Sequence, residues 1–394
     1  MLVAGASIAG PALAHWLCRR GAEVTVVERA PGLRPGGQAV DARGVTKEVI
    51  RRMGLDAAVR AARTETAGAY TVDADGKVLE TYRADDDGDG YIAEIEILRG
   101  DLSRVLYDDT RDSAEYVFGD RIAGLTQDAD GVDVTFAGGD RRRFDLVIGA
   151  DGLHSALRAM VFGPHERFVH HLGQVMSFYT VPNEFGLDRW LIDYQEPGSG
   201  RSAGLRPIQD ATRAMAMFSF PAAGLDVDYR DVEAQKHLLR EQMAGLGWLA
   251  PRILAHLDDT PDFYLDQVAQ VVMDRWSSGR AGLLGDAAFS SSPLSGQGTG
   301  LALVGAYLLA GELAAAGWDP ESGFAGYERR MRSFVEANQE IGRLHARTRD
   351  ASGPDAEPSP DFSGEWFTDL IERALNGAEL PDYAALPADV PGQR

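Results

Sequence analysis

The chain has 394 residues, of which 44% are hydrophobic, enough to bury a large core or two domains that share an interface. With 39 basic and 60 acidic residues its formal charge is −21, so we expect neither a nucleic-acid nor an anionic-membrane partner. The single cysteine, Cys18, excludes an intramolecular disulfide and suits a cytoplasmic protein. No Cys/His cluster has the spacing of a metal site, so we expect no metal.

The first 28 residues predict one β–α–β unit. Residues 1–4 predict a short strand, residues 11–20 have helical periodicity that ends at Gly21, and residues 22–28 predict a second buried strand. A unit of this kind builds a parallel sheet. The apolar stretch at its start has no basic segment before it, so we do not interpret it as a signal peptide.

The turn from Gly5 to Gly10 is similar to the G-x-G-x-x-G turn that binds a dinucleotide, with Ser7 at its middle position. Gly5 permits the tight turn, Gly10 lets the helix pack closely on the sheet, and a serine leaves room for a pyrophosphate. The helix N-terminus supplies free N–H groups. Glu28 ends the next strand, where an acid can accept hydrogen bonds from a ribose. The alternative is an ordinary strand–turn–helix without a ligand.

The middle of the chain has a different pattern. Residues 166–275 alternate polar and apolar side chains, which predicts antiparallel strands with one covered face. Residues 69–82 predict a hairpin whose turn is Asp75-Gly76.

The C-terminal part predicts two more buried strands and two helices. The strands, each ending in a turn, are expected at residues 144–152 and 281–288. Residues 297–316 predict a long helix, which contains Glu312 and several glycines and is therefore expected to be buried in the fold rather than to span a membrane. Residues 350–361 have the composition of a linker, and a last helix is expected near residues 366–375.

Three further motifs carry a resemblance to a known family. "GADGLHSALR", from Gly149, contains D-G-x-x-S-x-x-R, and "ILRGDLSRVL", from Ile97, has an arginine at a helix start. "LLGDAAFSSSPLSGQGTGLAL", from Leu283, contains G-D-A, a proline and G-Q-G at the start of a helix. Together with the first turn they resemble the FAD-dependent aromatic hydroxylases. This p-hydroxybenzoate hydroxylase-like class includes tetracycline- and polyketide-modifying monooxygenases.

The resemblance implies an α/β fold: a Rossmann-like FAD-binding domain, a mostly antiparallel β-sheet substrate domain above the flavin, and C-terminal helices. It assigns the FAD-binding domain to residues 1–70, 97–165 and 276–345. The substrate domain takes residues 71–96 and 166–275, and residues 346–394 form a C-terminal linker and helix.

The resemblance also implies which residues bind FAD. The first turn would hold the pyrophosphate with Arg99, Glu28 would bind the adenosine ribose, and the start of the glycine-rich helix would stabilise the reduced flavin ring. The cofactor residues are Gly5, Ser7, Ile8, Ala9, Gly10, Glu28, Arg29, Arg99, Asp151, Asp286, Pro293, Gly296, Gln297, Gly298, Thr299 and Gly300.

Several of these positions also have an ordinary structural interpretation. Asp286 could cap a helix, Asp151 could stabilise a turn, and Arg99 could be a surface charge. The family often has histidine where Phe289 stands, asparagine near Thr299-Gly300 and an acid where Gly305 stands. These differences remove side-chain contacts with the flavin and leave the backbone contacts.

The implied reaction is hydroxylation of an aromatic or polycyclic secondary metabolite through a C4a-hydroperoxyflavin, with NAD(P)H and O2 as co-substrates. The cofactor supplies the chemistry, so no catalytic side chain is required, although Pro293 would lie near the flavin and Arg158 would contact NAD(P)H. Candidate substrate residues, whose alternative is ordinary core packing, are Phe178, Trp190, Tyr194, Arg206, Met217, Phe220 and Phe289.

Other functions remain open at this point. An FAD-dependent oxidase, epoxidase or Baeyer–Villiger enzyme would use the same site, and a non-catalytic FAD-binding protein belongs to another class. A halogenase is disfavoured, because the sequence has no W-x-W-x-I-P segment. We expect a monomer or homodimer with a small aromatic substrate.

Overall fold

The computed structural model describes residues 1–84, 92–225, 228, 230–350, 362 and 364–384. The strands are β1 (Leu2–Ala4), β2 (Thr25–Glu28), β3 (Ala39–Ala42), β4 (Gly68–Val72), β5 (Val78–Arg83), β6 (Ile95–Leu98), β7 (Glu115–Phe118), β8 (Ile122–Gln127), β9 (Val132–Phe136), β10 (Arg141–Phe144), β11 (Val147–Gly149), β12 (Val169–Pro182), β13 (Trp190–Gln195), β14 (Ser202–Pro207), β15 (Arg213–Pro221), β16 (Tyr264–Val271), β17 (Ser277–Ser278) and β18 (Ala281–Leu283). The helices are α1 (Ala9–Cys18), α2 (Val45–Met53), α3 (Asp56–Ala61), α4 (Arg99–Thr110), α5 (Ala156–Phe162), α6 (Val232–Gln242), α7 (Ala250–Leu254), α8 (Asp286–Phe289), α9 (Gly298–Ala315), α10 (Pro320–Asp350) and α11 (Glu365–Asn376). Short 3-10 turns lie at His165–Arg167 and Pro293–Ser295.

A six-stranded sheet carries the first β–α–β unit. Its strand order is β17-β18-β11-β1-β2-β7, and all neighbours are parallel except the two-residue edge strand β17. Its central strands β1, β11 and β18 are short and fully buried, as expected for a parallel sheet, whereas the edge strands β7 and β17 are partly exposed. The parallel sheet predicted from the first 28 residues is therefore confirmed.

The connection from β1 to α1 depends on glycine. Gly5 has φ +107°, a conformation that side chains rarely adopt, and Gly10 lies against the carbonyl oxygen of Gly5. The helix α1 begins two residues earlier than predicted and ends at Cys18, and Gly21, with φ +77°, follows it.

The second large sheet has seven strands in the order β16-β12-β15-β14-β13-β4-β5. Its neighbours are antiparallel except for the parallel pair β13 and β4, so the mostly antiparallel sheet predicted for residues 166–275 is confirmed. The predicted hairpin is also present: β4 and β5 are antiparallel, and Gly76 in the turn has φ +82°. A two-stranded sheet of β3 and β6 and a three-stranded sheet of β8, β9 and β10 complete the strands described.

Three local predictions differ from the structure. The predicted strand 144–152 is shorter, because Phe144 ends β10 in another sheet and β11 spans Val147–Gly149. The predicted strand 281–288 ends at Leu283, and Asp286 begins the short helix α8. The segment 166–275 also contains helices α6 and α7, and the Asp231 side chain accepts a hydrogen bond from Ala234 N–H at the start of α6.

The glycine-rich helix α9 is the centre of the helical layer. It is long and apolar enough to cross a membrane by length and composition, but 83% of it is buried inside the fold, as expected for a core helix. Its buried residues join those of α1 and β1 in one large core. The last predicted helix is confirmed as α11, which packs on α10 through Leu370 and Ala374. Of the predicted linker, residues 351–361 lie outside the described residues, as do 385–394 of the C-terminal segment.

The seven-stranded sheet has its own core. Its buried face packs on α6 and α7, with Phe218, Phe220, Leu239 and Ile253 among the residues in contact. Most of the chain therefore folds around two hydrophobic centres, one under each large sheet.

Candidate functional site

A cavity of about 2700 Å³ is lined by residues of both large sheets. It begins at the turn after β1, follows the carboxyl end of β2, and reaches the open face of the seven-stranded sheet. Ligands of α/β folds bind at the carboxyl ends of parallel strands, so this position is the expected one. The predicted cofactor residues that line it are Gly5, Ser7, Ile8, Ala9, Glu28, Arg29, Arg99, Asp151, Asp286, Pro293, Gly296, Gly298 and Thr299.

The conformation of the turn from Gly5 to Gly10 depends on close backbone packing. A Cβ atom on Gly10 would lie 1.9 Å from the carbonyl oxygen of Gly5, so this position accepts only glycine without rearrangement. Gly10 therefore supports the turn from behind and does not line the cavity. The Glu28 carboxylate lies across the turn, where Oε2 accepts from Ala6 N–H and Oε1 from Ala30 N–H, each at 2.9 Å. This fixes the carboxylate at the cavity wall.

Arg99 is tied to the same turn. Its Nη1 donates to the Oγ atom of Ser7 at 2.9 Å, and Ser103 donates to the Ser7 carbonyl oxygen at 2.9 Å. Burial, with the nearby charge of Arg34, lowers the pKa of Arg99 to about 10, so the guanidinium remains positively charged at neutral pH. Arg99 begins α4, as its motif predicts. A cation at this place can bind a pyrophosphate.

The opposite wall is built by α8 and the start of α9. Asp286 lines the cavity, and desolvation of its carboxyl group by the surrounding protein raises its pKa. Pro293 and Gly296 are exposed to the cavity, and Ser292 beside them has φ +75°. No side chain caps α1 or α9 among the residues that the structure describes, so N–H groups at both helix starts are available to a ligand.

Polar atoms without partners surround the start of α9. Among the described residues, Thr46 Oγ1, Ser292 Oγ and Gln297 Oε1 are buried and make no hydrogen bond. Thr46 and Gln297 both lie beside Gly300, where a Cβ atom would be 2.7 Å from Thr46 Oγ1. Gln297 and Gly300 are thus behind the cavity wall and do not line it. Of the three residues only Ser292 lines the cavity, so its hydroxyl is the one placed beside a bound ligand.

The D-G-x-x-S-x-x-R motif, which begins at Asp151, mainly stabilises the start of α5. Asp151 accepts from the Ser155 hydroxyl at 2.5 Å and from the N–H groups of Ala156 and Leu157 at 2.8 and 3.2 Å. Ser155 in turn accepts from Arg158 N–H. Asp151 still lines the cavity, but its carboxylate already has three donors inside the fold.

The structure buries Arg158, the residue for which the resemblance implies a contact with NAD(P)H. Its side chain is fully buried, and its guanidinium donates to the carbonyl oxygens of Ala287 at 2.9 Å and Leu153 at 2.6 Å and contacts His165 at 3.0 Å. Burial lowers its pKa, which Asp151 partly offsets. Arg158 is a structural link between α5 and α8.

The seven-stranded sheet lines the cavity with both apolar and polar side chains. Of the predicted substrate residues, Phe178, Tyr194, Arg206 and Met217 line the cavity. Phe178 on β12 is paired with Met217 on β15 and, on its other side, with Tyr264 on β16, so these three side chains lie in one row across the sheet. This row is wide and flat enough for a planar molecule.

Three predicted substrate residues do not reach the cavity. Phe220 is fully buried in the core under the sheet. Phe289 is 1% exposed and packs on Trp276, with ring centroids 4.7 Å apart. Trp190 stacks on Tyr70 at 4.4 Å, away from the cavity lining. All three are apolar positions whose aromatic rings complete protein packing.

Sequence reasoning missed three residues of this site. Tyr264 and Asp41 line the cavity, and Glu96 lies directly behind Arg206. The Tyr264 ring stacks beside Phe178, with ring centroids 6.3 Å apart, and burial together with the charge of Asp266 raises its pKa. The signal for Glu96 was present: an acid inside the apolar strand "IEIL" has to find a partner.

These features fit FAD. The elongated cavity joins a dinucleotide turn, an acid at the end of β2, a buried arginine and a set of unpartnered polar atoms at a helix start. Glu28 would bind the ribose, Arg99 and the start of α1 the pyrophosphate, and the start of α9 the flavin ring.

Comparison with known proteins gives the same result. Residues 1–340 match the FAD binding domain family. The chain belongs to this family. A flavin-dependent monooxygenase of Legionella longbeachae serogroup 1 (strain NSW150) is 37% identical over 383 residues, covering 97% of this chain and 98% of that protein. An uncharacterised protein of Mycobacterium tuberculosis (strain ATCC 25618 / H37Rv) is 49% identical over 341 residues, covering 86% of this chain and 91% of that protein.

A solved structure has the same fold over almost its whole length. The crystal structure of tetracycline destructase Tet(55) has a TM-score of 0.84 and 38% sequence identity, covering 97% of this chain and 98% of that one. The resemblance inferred from the motifs is therefore confirmed. This protein is an FAD-dependent monooxygenase, and its cofactor is FAD.

Proposed function

We propose that this FAD-dependent monooxygenase hydroxylates a planar aromatic or polycyclic small molecule, with NAD(P)H as reductant and O2 as oxidant. The observation that carries the proposal is the continuity of one cavity from the dinucleotide turn to the row of Phe178, Met217 and Tyr264 on the sheet. The name of the similar tetracycline destructase supports a polycyclic substrate, since tetracyclines are polycyclic.

The protein's part in this reaction is binding, orientation and exclusion of water. When bound, FAD would supply the redox chemistry: two electrons from NAD(P)H and two from the substrate reduce O2, one oxygen atom enters the substrate as a hydroxyl group, and the other leaves as water. Arg99 and the N–H groups of α1 would hold the negative pyrophosphate, and the start of α9 would stabilise negative charge on the flavin ring. Phe178 and Met217 give the substrate an apolar surface to lie on.

A secondary metabolite is the substrate class that we propose. The cavity of about 2700 Å³ would hold FAD as well as a substrate, and its lining mixes aromatic, thioether and charged groups. Such a lining suits a ring system with several oxygen substituents better than a simple hydrocarbon. An oxidase, epoxidase or Baeyer–Villiger enzyme would use the same cavity, and the products distinguish them.

The test is a screen of planar aromatic compounds with the purified, FAD-loaded protein. A substrate should stimulate NAD(P)H oxidation and O2 uptake, and mass spectrometry should show a product heavier by one oxygen atom. Labelled O2 should supply that atom. NAD(P)H oxidation that yields only hydrogen peroxide with every compound, or substrate oxidation without oxygen incorporation, would contradict hydroxylation.

A further inference from the structure

Arg206 is held from behind by a buried acid. Its Nη1 donates to Oε2 of Glu96, which is 4% exposed and does not line the cavity. Arg206 is on β14 of the large sheet, whereas Glu96 is on β6 of the two-stranded sheet. The pair therefore joins the seven-stranded sheet to the two-stranded sheet of β3 and β6.

Glu96 is fixed and charged. Its Oε1 accepts hydrogen bonds from the hydroxyls of Thr64 at 2.5 Å and Thr66 at 2.6 Å. Burial alone would raise the pKa of Glu96, but the charge of Arg206 and these hydrogen bonds outweigh burial and lower it. The carboxylate is thus ionised at neutral pH and has no freedom to turn away from Arg206.

The other edge of Arg206 faces the cavity. Nε and Nη2 make no hydrogen bond to any residue within the described part of the chain, so they remain available as donors. Asp41 and Asp193 also line this wall, and their charges act on Arg206 together with that of Glu96, while Arg43 pairs with Asp41 at 2.9 Å. The wall consequently offers hydrogen-bond donors without an excess of positive charge.

We infer that Glu96 determines substrate specificity by neutralising Arg206, so that the cavity accepts planar molecules with an uncharged oxygen at this wall and rejects those with a carboxylate. This rests on the proposed function, because it assigns one end of the substrate to the sheet face. A carbonyl or phenol oxygen needs only the free N–H donors of Arg206. A carboxylate would lose its water shell and meet the charges of Glu96 and Asp193, while the charge of Asp41 is paired with Arg43.

The experiment compares two matched probes on the FAD-loaded, full-length protein. The probes are anthraquinone-2-carboxylate and 2-(hydroxymethyl)anthraquinone, and binding is followed by calorimetry and by the change in flavin absorbance. The wild-type protein should bind the neutral probe at least tenfold more tightly than the carboxylate. Glu96→Gln keeps the shape and the hydrogen-bond acceptor but removes the charge. It should strengthen carboxylate binding at least tenfold and change neutral binding less than threefold.

Glu94→Gln is the matched control. Glu94 is two residues away, pairs with Arg60 at 2.5 Å and Lys47 at 3.3 Å, and does not line the cavity, so this variant should keep the wild-type preference. Asp193→Asn removes a second carboxylate from the wall, so it should also strengthen binding of the carboxylate probe relative to the neutral probe. This variant replaces Glu96→Gln in the test if Glu96→Gln does not fold.

The outcomes separate the two proposals. If both probes bind and the charge-removing variants leave the ratio of their affinities unchanged, or if the wild-type protein prefers the carboxylate, the role of Glu96 is refuted while the proposed function stands. If neither probe binds while the screen finds another planar compound that is hydroxylated, the role of Glu96 is refuted and the proposed function stands; if the screen finds no hydroxylated compound, the proposed function itself fails.

Discussion

Replacing Arg158 by methionine tests whether this residue is structural or contacts the nucleotide. The guanidinium donates to two buried carbonyl oxygens, those of Ala287 and Leu153, at 2.9 and 2.6 Å. A hydrogen bond from a charged donor contributes about 1.5–3 kcal/mol. Methionine also removes a buried charge whose Nε has no partner among the described residues, so we take the lower value for each bond. Arg158→Met should therefore lower the free energy of unfolding by about 3 kcal/mol.

The assay is urea unfolding of the apoprotein, followed by tryptophan fluorescence, beside stopped-flow reduction of the FAD-loaded protein by NAD(P)H. Each molecule that retains FAD should be reduced within twofold of the wild-type rate. Arg141→Met is the control, because Arg141 is exposed on β10 and its loss should change neither measurement. Wild-type stability with a tenfold slower reduction would refute the structural role and restore a nucleotide contact.

Three further predictions follow from the packing. Gly10→Ala should destabilise the apoprotein by roughly 1–3 kcal/mol and impair FAD retention, because the new Cβ atom would lie 1.9 Å from the carbonyl oxygen of Gly5. The control is Gly32→Ala, which has open space around it and should change neither stability nor FAD retention. Burial raises the pKa of Asp286 above its unfolded value of about 3.9, so ionisation of this carboxyl group lowers the stability of the folded protein above that pH. Asp286→Asn should therefore stabilise the apoprotein at pH 7 and weaken FAD binding. A stability gain that persists unchanged at pH 4 would contradict this. Phe220→Ala should lower the free energy of unfolding, measured in urea, by about 3–5 kcal/mol, because Phe220 is fully buried. Met217→Ala, at the cavity, should lower it less and should raise the amount of peroxide released per NAD(P)H consumed. Equal stability of the two variants would refute the placement of Phe220 in the core and Met217 at the cavity.

The cofactor half of the site was predictable because its constraints are local. Gly5 and Gly10 are required by a positive φ and a close backbone contact, and such requirements leave a glycine in the sequence. Glu28 follows from the end of a short buried strand. Arg99 follows from its place at a helix start. None of these needs knowledge of a distant part of the chain.

The substrate half was predicted less well, because it depends on which side of each strand faces the cavity. Met217 and Phe220 are three residues apart on β15, so they point to opposite faces of the sheet, and only Met217 reaches the cavity. The alternation pattern of β15 is weak, since both faces are apolar. Its register against β12 and β14 decides the outcome, and that pairing is a long-range property.

Arg158 and Glu96 show the same limit for charged residues. A motif placed Arg158 near the nucleotide, but the carbonyl oxygens that bind it come from separate turns brought together only by folding. Glu96 is recognisable as a buried acid from its apolar neighbours, yet its partner Arg206 is 110 positions away in sequence. A sequence indicates that such a charge needs a partner without indicating which one.

The most direct test of the whole account is a crystal structure of the FAD-loaded protein with a turnover-competent planar substrate. We predict the pyrophosphate on Arg99 and the turn from Gly5 to Gly10, the flavin ring at the start of α9, and the substrate between that ring and the row of Phe178 and Met217. A flavin ring placed away from Gly296 and Gly298, or a substrate that makes no contact with the seven-stranded sheet, would contradict it.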